Sequence, residues 1–171
     1  MNTEKTLKAF KKVSFKQFAA QFPAMKLPVV LSEDTHHLFS QQNLPIPEVM
    51  INKFIEPIEG QDTDELTEYV ACFRLPNTGP LTAIVYWKAG LLSYEYTLAT
   101  FNKKGEFVDK RVIAGTFLDN EVLTQSVAQI KEDLSIIVTS GQSELAKTDF
   151  DASSSTAYVL QLQLDGHIVN E

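Results

Sequence analysis

From Leu66 onward the chain changes its hydrophobic period. Before Leu66, apolar side chains recur at every third or fourth position; after it, they recur at every second, in short runs separated by turn-forming residues. A period of two belongs to a pleated strand and one of about 3.6 to a helix, so the switch divides the chain into a helical lead and a β-rich remainder. The alternating runs lie at residues 66–75, 81–87, 92–98, 107–117, 122–130, 134–138, 158–164 and 167–169. Asn77-Thr78-Gly79-Pro80, Ala89-Gly90, Asn102-Lys103-Lys104-Gly105 and Asp165-Gly166 stand between them as turns. Parallel neighbours need a crossover of about a dozen residues or more, and these connections are far shorter. The expected fold is therefore α+β, mainly an antiparallel β-meander of about eight short strands. Its sheet is curled, closed into a partial barrel or split into a sandwich, and the N-terminal helices cover its apolar face.

In the lead, Leu7 and Phe10, then Phe15, Phe18 and Phe22, recur at helical intervals. Ser14 with Gln17 three residues on has the form of a capping box, and Pro23 ends the helix that starts there. The phenylalanine face is expected in the core; the alternative for a lysine-rich amphipathic helix is a membrane surface. Residues 27–31 suit a short strand that Pro28 confines to an edge or a strand start. Ser32 or Asp34 can cap a helical turn reaching Gln42. Pro47 opens a second short helix over 48–55 that buries Val49, Met50, Phe54 and Ile55. Residues 56–64 read as an acidic loop. With 171 residues, 44% of them hydrophobic, the chain is expected to form one domain over 1–171, with the helical lead at 1–55 and the meander at 66–169.

Charge is distributed unevenly. Residues 1–27 carry six lysines against Glu4, a net of +5, whereas 33–68 carry nine acidic residues against Lys53, a net of −8. The whole chain stands at −7. An acidic field opposes nucleic acid, whose affinity rests on phosphate neutralisation, and favours a basic partner. No apolar stretch approaches the ~18 residues of a membrane-crossing helix, and no apolar region of a signal peptide follows the N-terminal lysines. The chain is expected in the cytoplasm, or in the cell envelope if an upstream signal has been removed.

The motifs of common chemistries are missing. There is no G-x-G-x-x-G, Walker loop, H-E-x-x-H or G-x-S-x-G. His36 and His37 are adjacent, so on a helix they diverge by about 100° and do not form the i, i+4 pair that shares a metal. Asp62 and Asp64 open like a calcium loop, but Thr67 replaces its glycine and Phe73 its closing glutamate. Asp149 and Asp151 open another that fails in the same way at Ser154 and Leu160. Glu95 is flanked by Tyr94 and Tyr96, but alternation places it with Thr97 on the polar side of its strand rather than in a cavity. Cys72, the sole cysteine, alternates as a small buried hydrophobe. The expectation is a protein that is not an enzyme and needs neither cofactor nor metal.

Tyr69, Tyr86, Trp87, Tyr94 and Tyr96 fall on neighbouring strands. Such aromatics ordinarily stabilise a sheet, but with an acidic rim they also suit a protein partner. Ile84 and Tyr86 fall on the nominal outer face of their strand, which supports the binding reading. The candidate docking surface is thus Asp62, Asp64, Glu65, Glu68 and Tyr69, with Ile84 and Tyr86.

The wording Phe15-Lys-Gln-Phe18-(x)3-Phe22-Pro23-(x)2-Lys26-Leu27-Pro28, together with Leu98-Ala-Thr-Phe-Asn-Lys-Lys-Gly-Glu106, resembles a loose group of uncharacterised bacterial proteins in which a short helical lead precedes an antiparallel meander. The resemblance covers most of the chain, excludes the acidic segment 56–68 and implies a fold but no activity. The function expected from the whole is a non-enzymatic protein-binding domain, such as an acidic inhibitor or immunity-type protein that neutralises a basic partner. The alternative is a small-ligand-binding or envelope-associated β domain whose aromatics line a cavity.

Overall fold

The computed structural model describes residues 3–60, 65–144 and 155–171. Helices α1 (Thr3–Lys12) and α2 (Phe15–Ala19) lead to strand β1 (Val29–Leu31) and helix α3 (Thr35–Gln42). A continuous helical run follows: α4 (Glu48–Met50), a π-helical segment (Ile51–Ile55) and α5 (Glu56–Glu59). The meander then comprises β2 (Glu68–Arg74), β3 (Thr82–Ala89), β4 (Ser93–Phe101), β5 (Phe107–Asp119), β6 (Val122–Ile130), β7 (Ser135–Glu144), β8 (Thr156–Leu162) and β9 (Ile168–Asn170). The fold is α+β. Strands β2 to β9 pair in sequence order, each antiparallel to the next, in a sheet that does not close, and β1 adds to β6.

The sheet doubles over at β5. Strand β4 pairs with β5 from Phe107 to Phe117, but β6 pairs only with Gly115–Asp119. The other end of β6 turns to β1, with Leu31 opposite Ala128. Two halves, β2–β5 and β6–β9, thus face each other across the main core. Val85, Trp87, Tyr96 and Leu98 meet Ile136, Val138, Leu160 and Leu162 there, with Leu31 and Phe39 filling the gap. Side chains tie the last strand back to the first half without extending the ladder. The Thr100 hydroxyl donates to the Gly166 carbonyl (2.6 Å), Arg111 to the Ile168 carbonyl (3.2 Å), and the Ile168 amide to the Asp109 carboxylate (2.9 Å). Asn120 and Glu121, both at positive φ (47° and 68°), make the two-residue turn between β5 and β6, the geometry that matches the twist of a hairpin.

The opposite face of the first half carries a second core. Phe18 and Phe22 from the lead, and Ile46, Met50 and Ile55, cover Ala71, Ile84, Tyr86, Ala99 and Phe101. Strand β3 is apolar on both faces because both are covered. This corrects the outer-face reading of Ile84 and Tyr86, which are both 0% exposed. A bulge at Cys72 divides β2: Ala71 pairs with Tyr86 and Phe73 with Val85. Tyr69 and Ala71 therefore face the helices while Phe73 and Leu75 join the main core, not one shared face as alternation alone predicts. Along the outer edge of β2, Asn43 Nδ2 donates to the carbonyls of Ala71 (2.6 Å) and Cys72 (2.9 Å). Arg74 is bracketed by a bond from its amide to Pro23 (2.8 Å) and one to its carbonyl from the Met25 amide (3.2 Å).

The capping box forms as expected. Ser14 Oγ accepts from the Gln17 amide (3.2 Å), and Gln17 Oε1 accepts from the Ser14 amide (2.8 Å). Phe18 and Phe22 are core, but α1 buries no residue, and Leu7 (55%) and Phe10 (37%) stay exposed, so the apolar stripe of α1 is not part of the core. Its C-terminal end is held by Lys53, whose Nζ donates to the carbonyls of Phe10 (2.9 Å) and Val13 (2.6 Å), where a cation offsets the helix dipole. No helix among the described residues is long and apolar enough to cross a membrane.

The 102–105 hairpin also forms as expected, with the Asn102 amide bonded to Glu106 (2.9 Å) and Gly105 at φ +79°. A Cβ on Gly105 would stand 2.6 Å from Phe15 Cγ, so the loop is pressed against the lead helix as well as turned. Gly105→Val should destabilise by about 1 kcal/mol from backbone conformation, with displacement of the Phe15 ring added to that. A denaturant midpoint equal to that of the parent would refute it.

Candidate functional site

The expected docking residues do not assemble into one surface. Asp62 and Asp64 lie outside the described residues. Glu65 and Glu68 are exposed, Glu68 at the start of β2 opposite Ala89. Tyr69 is half-buried, with its ring edge-on to Tyr86 at 6.0 Å. Its buried hydroxyl has no hydrogen-bond partner among the described residues. Burial, and then the charges of Glu59, Glu56 and Glu95, push its pKa up.

Tyr86 belongs instead to a buried polar cluster. Residues 56–59, expected in a loop, are the helical turn α5, and it carries Glu59 inward to 6% exposure. The Glu59 carboxylate accepts from the Tyr86 hydroxyl and from Lys88 Nζ (2.9 Å), with Lys110 Nζ at 3.3 Å. Burial alone would raise the Glu59 pKa. The hydrogen bonds from Tyr86 and Lys88, and the charges of Lys88 and Lys110, outweigh it and hold the carboxyl below its usual range. The chemistry of this cluster is that of a lock between α5 and the sheet. Cys72 is equally enclosed, and burial pushes its thiol pKa up, away from the reactive thiolate.

An accessible site lies where the two halves of the sheet part. One cleft of about 340 Å³ is lined by Glu33, His36, Trp87, Tyr94 and Tyr96. A second, of about 260 Å³, opens beside it between Tyr94, Val112 and Phe117 on one side and Thr124, Ser126 and Tyr158 on the other. Tyr94, Gly115 and Thr116 line both. Tyr94 (46%), Phe117 (48%) and Tyr158 (43%) expose much of their surface here.

Each wall has a local cause. The Trp87 ring is stacked between His36 (4.5 Å, 3°) and Tyr94 (5.6 Å, 5°), so α3 is joined to the sheet through an aromatic sandwich. Tyr96 secures the start of α3: its hydroxyl donates to the Ser32 carbonyl (2.9 Å) and lies 2.7 Å from the Thr35 hydroxyl. Glu33 reaches across to β6, where Gln125 Nε2 donates to its Oε2 (2.8 Å). Gly115 stands where the β4 and β6 ladders meet, opposite Glu95 on one side and Ser126 on the other. Beyond it the strands diverge and leave the cleft between them. Among the described residues the two linings contain two carboxylates, Glu33 and Glu95, and neither lysine nor arginine.

Trp87, Tyr94 and Tyr96 belong to the aromatic set that the sequence singles out, but their partners were not legible there. His36 reads as a surface histidine, and its ring in fact also lies 3.8 Å from that of His37. The available signal was Gly115, an isolated glycine inside an apolar strand, which commonly marks a corner or a close backbone approach. Among the described residues no three His, Cys, Asp or Glu side chains converge as metal ligands. Comparison of the chain with protein-family models, with curated proteins and with solved structures finds no match.

Proposed function

We propose that this chain is a non-enzymatic binding protein and that it takes a small, partly aromatic molecule into the paired clefts around Tyr94. The observation that carries this reading is that the two clefts have lining residues in common. They share Tyr94, Gly115 and Thr116, and the wider one falls within the ~300–1,000 Å³ range of small-molecule sites. The lining also has the mixed character of such sites: aromatic walls, with Thr124 and Ser126 as orienting hydroxyls. A cytoplasmic inhibitor or immunity-type role toward a basic protein draws on Glu65 and Glu68, which are exposed, but it loses Ile84 and Tyr86 as apolar contacts. The cleft keeps its aromatic component, and for that reason the small-ligand reading is preferred.

Trp87 is the sole tryptophan of the chain, so its emission reports the site without labelling. Titration with 4-phenylbutanol, a neutral probe, should change that emission and saturate. Tyr94→Ala should weaken the binding about tenfold, the loss expected when one aromatic wall is removed. A non-saturating response, or equal affinity in the variant, would refute the site.

A further inference from the structure

We infer that the ligand of the paired clefts carries a positive charge: an aryl- or alkylamine whose ammonium group sits at Glu33 while its apolar body lies along Tyr94. The inference rests on the small-ligand reading and adds the sign of the charge. The charge distribution of the lining carries it. In a chain with 15 lysines and arginines, none lines either cleft among the described residues, while Glu33 stands in the larger of the two. An anionic ligand would therefore meet a carboxylate at the mouth and, among the described residues, neither lysine nor arginine to receive it. Phosphates and carboxylates normally require such a cation or a fork of donors.

Glu33 is placed to act as the counter-ion. It is anchored through Oε2 by Gln125 from β6, and its backbone carbonyl receives the His36 ring nitrogen. The segment bearing it is pinned to Tyr96 through the Ser32 carbonyl. The carboxylate thus has one oxygen held by Gln125 before any ligand arrives, and held groups give more net affinity than mobile ones because less freedom is lost on binding. The faces of Trp87 are already covered by His36 and Tyr94, so Trp87 contributes as a wall and the ammonium is recognised by the carboxylate.

Three probes of matched shape test the charge directly: 4-phenylbutylamine, 4-phenylbutanol and 4-phenylbutyrate, each titrated against Trp87 emission at low and at high salt. The amine should bind about fivefold more tightly than the alcohol, the factor that an exposed ion pair of ~1 kcal/mol represents. The butyrate should bind more weakly than the alcohol. Glu33→Gln retains an oxygen for Gln125 and should erase the amine's advantage over the alcohol. High salt should shrink the same advantage, since an exposed pair is screened. Equal affinities for all three probes, or an advantage that persists in Glu33→Gln, would overturn the inference while the cleft remained a small-ligand site. Failure of the alcohol itself to saturate would remove both.

Discussion

Glu59→Ala should cost the fold about 3–5 kcal/mol, because it removes the acceptor of both the buried Lys88 ammonium and the Tyr86 hydroxyl. The loss should come chiefly from stranding the lysine. A double variant, Glu59→Leu with Lys88→Met, should therefore recover most of it, since replacing both members of a buried pair by apolar groups is often neutral. Denaturant unfolding of the single and double variants decides the matter. A single-variant loss under about 1 kcal/mol would mean that Lys88 escapes to water.

The same carboxylate sets a pH dependence of definite sign. Its folded-state pKa is lowered from the ordinary 4.5, so as pH falls the unfolded chain takes up the proton first. The stabilisation is fully present above about pH 4.5 and drains away below it as pH falls through the folded-state value. The stability gap between the parent and Glu59→Gln should accordingly narrow below pH 4.5 and stay constant above it.

Gly115→Ala should be comparably damaging. Gly115 lies at φ +149°, and a Cβ there would stand 2.1 Å from the Tyr94 carbonyl oxygen and 3.0 Å from Glu95 Cα. Both obstacles are backbone of a paired strand, so neither yields without breaking the β4–β5 ladder. Conformational strain of about 1–3 kcal/mol adds to the collision, for a total of about 3 kcal/mol or more. The variant should melt well below the parent; an unchanged melting temperature would show that the corner does not depend on this glycine.

The contrast between Gly115 and Gly105 illustrates what was legible in the sequence. Gly105 ends a run of turn residues, and local chemistry suffices to place it. The same holds for the Ser14–Gln17 box, for Pro23 and for the alternating strands, whose causes lie within a few residues. Gly115 sits among alternating residues, and its need for a missing side chain comes from the approach of β4. Glu59 is the clearest failure. It stands in an acidic stretch that composition assigns to solvent, and its partner Lys88 lies 29 residues further on. Ile84 and Tyr86 gave a usable signal that pointed the other way. Apolar residues on both faces of one strand, taken above as an exposed patch, mark a strand between two covered faces. The mouth around Tyr94 depends on His36 meeting Trp87 and Glu33 meeting Gln125, and neither pair is close in sequence.

The outer edge of β2 bears on how the molecule behaves at high concentration. A sheet that does not close has end strands, and an end strand with free backbone groups is a template on which further chains can stack. Here Asn43 already occupies the carbonyls of Ala71 and Cys72, and the segment from Pro23 to Met25 brackets Arg74. At the other end β9 is three residues long, too short to nucleate a neighbour. Part of each end of the open meander is therefore shielded from edge-to-edge pairing without closure into a barrel.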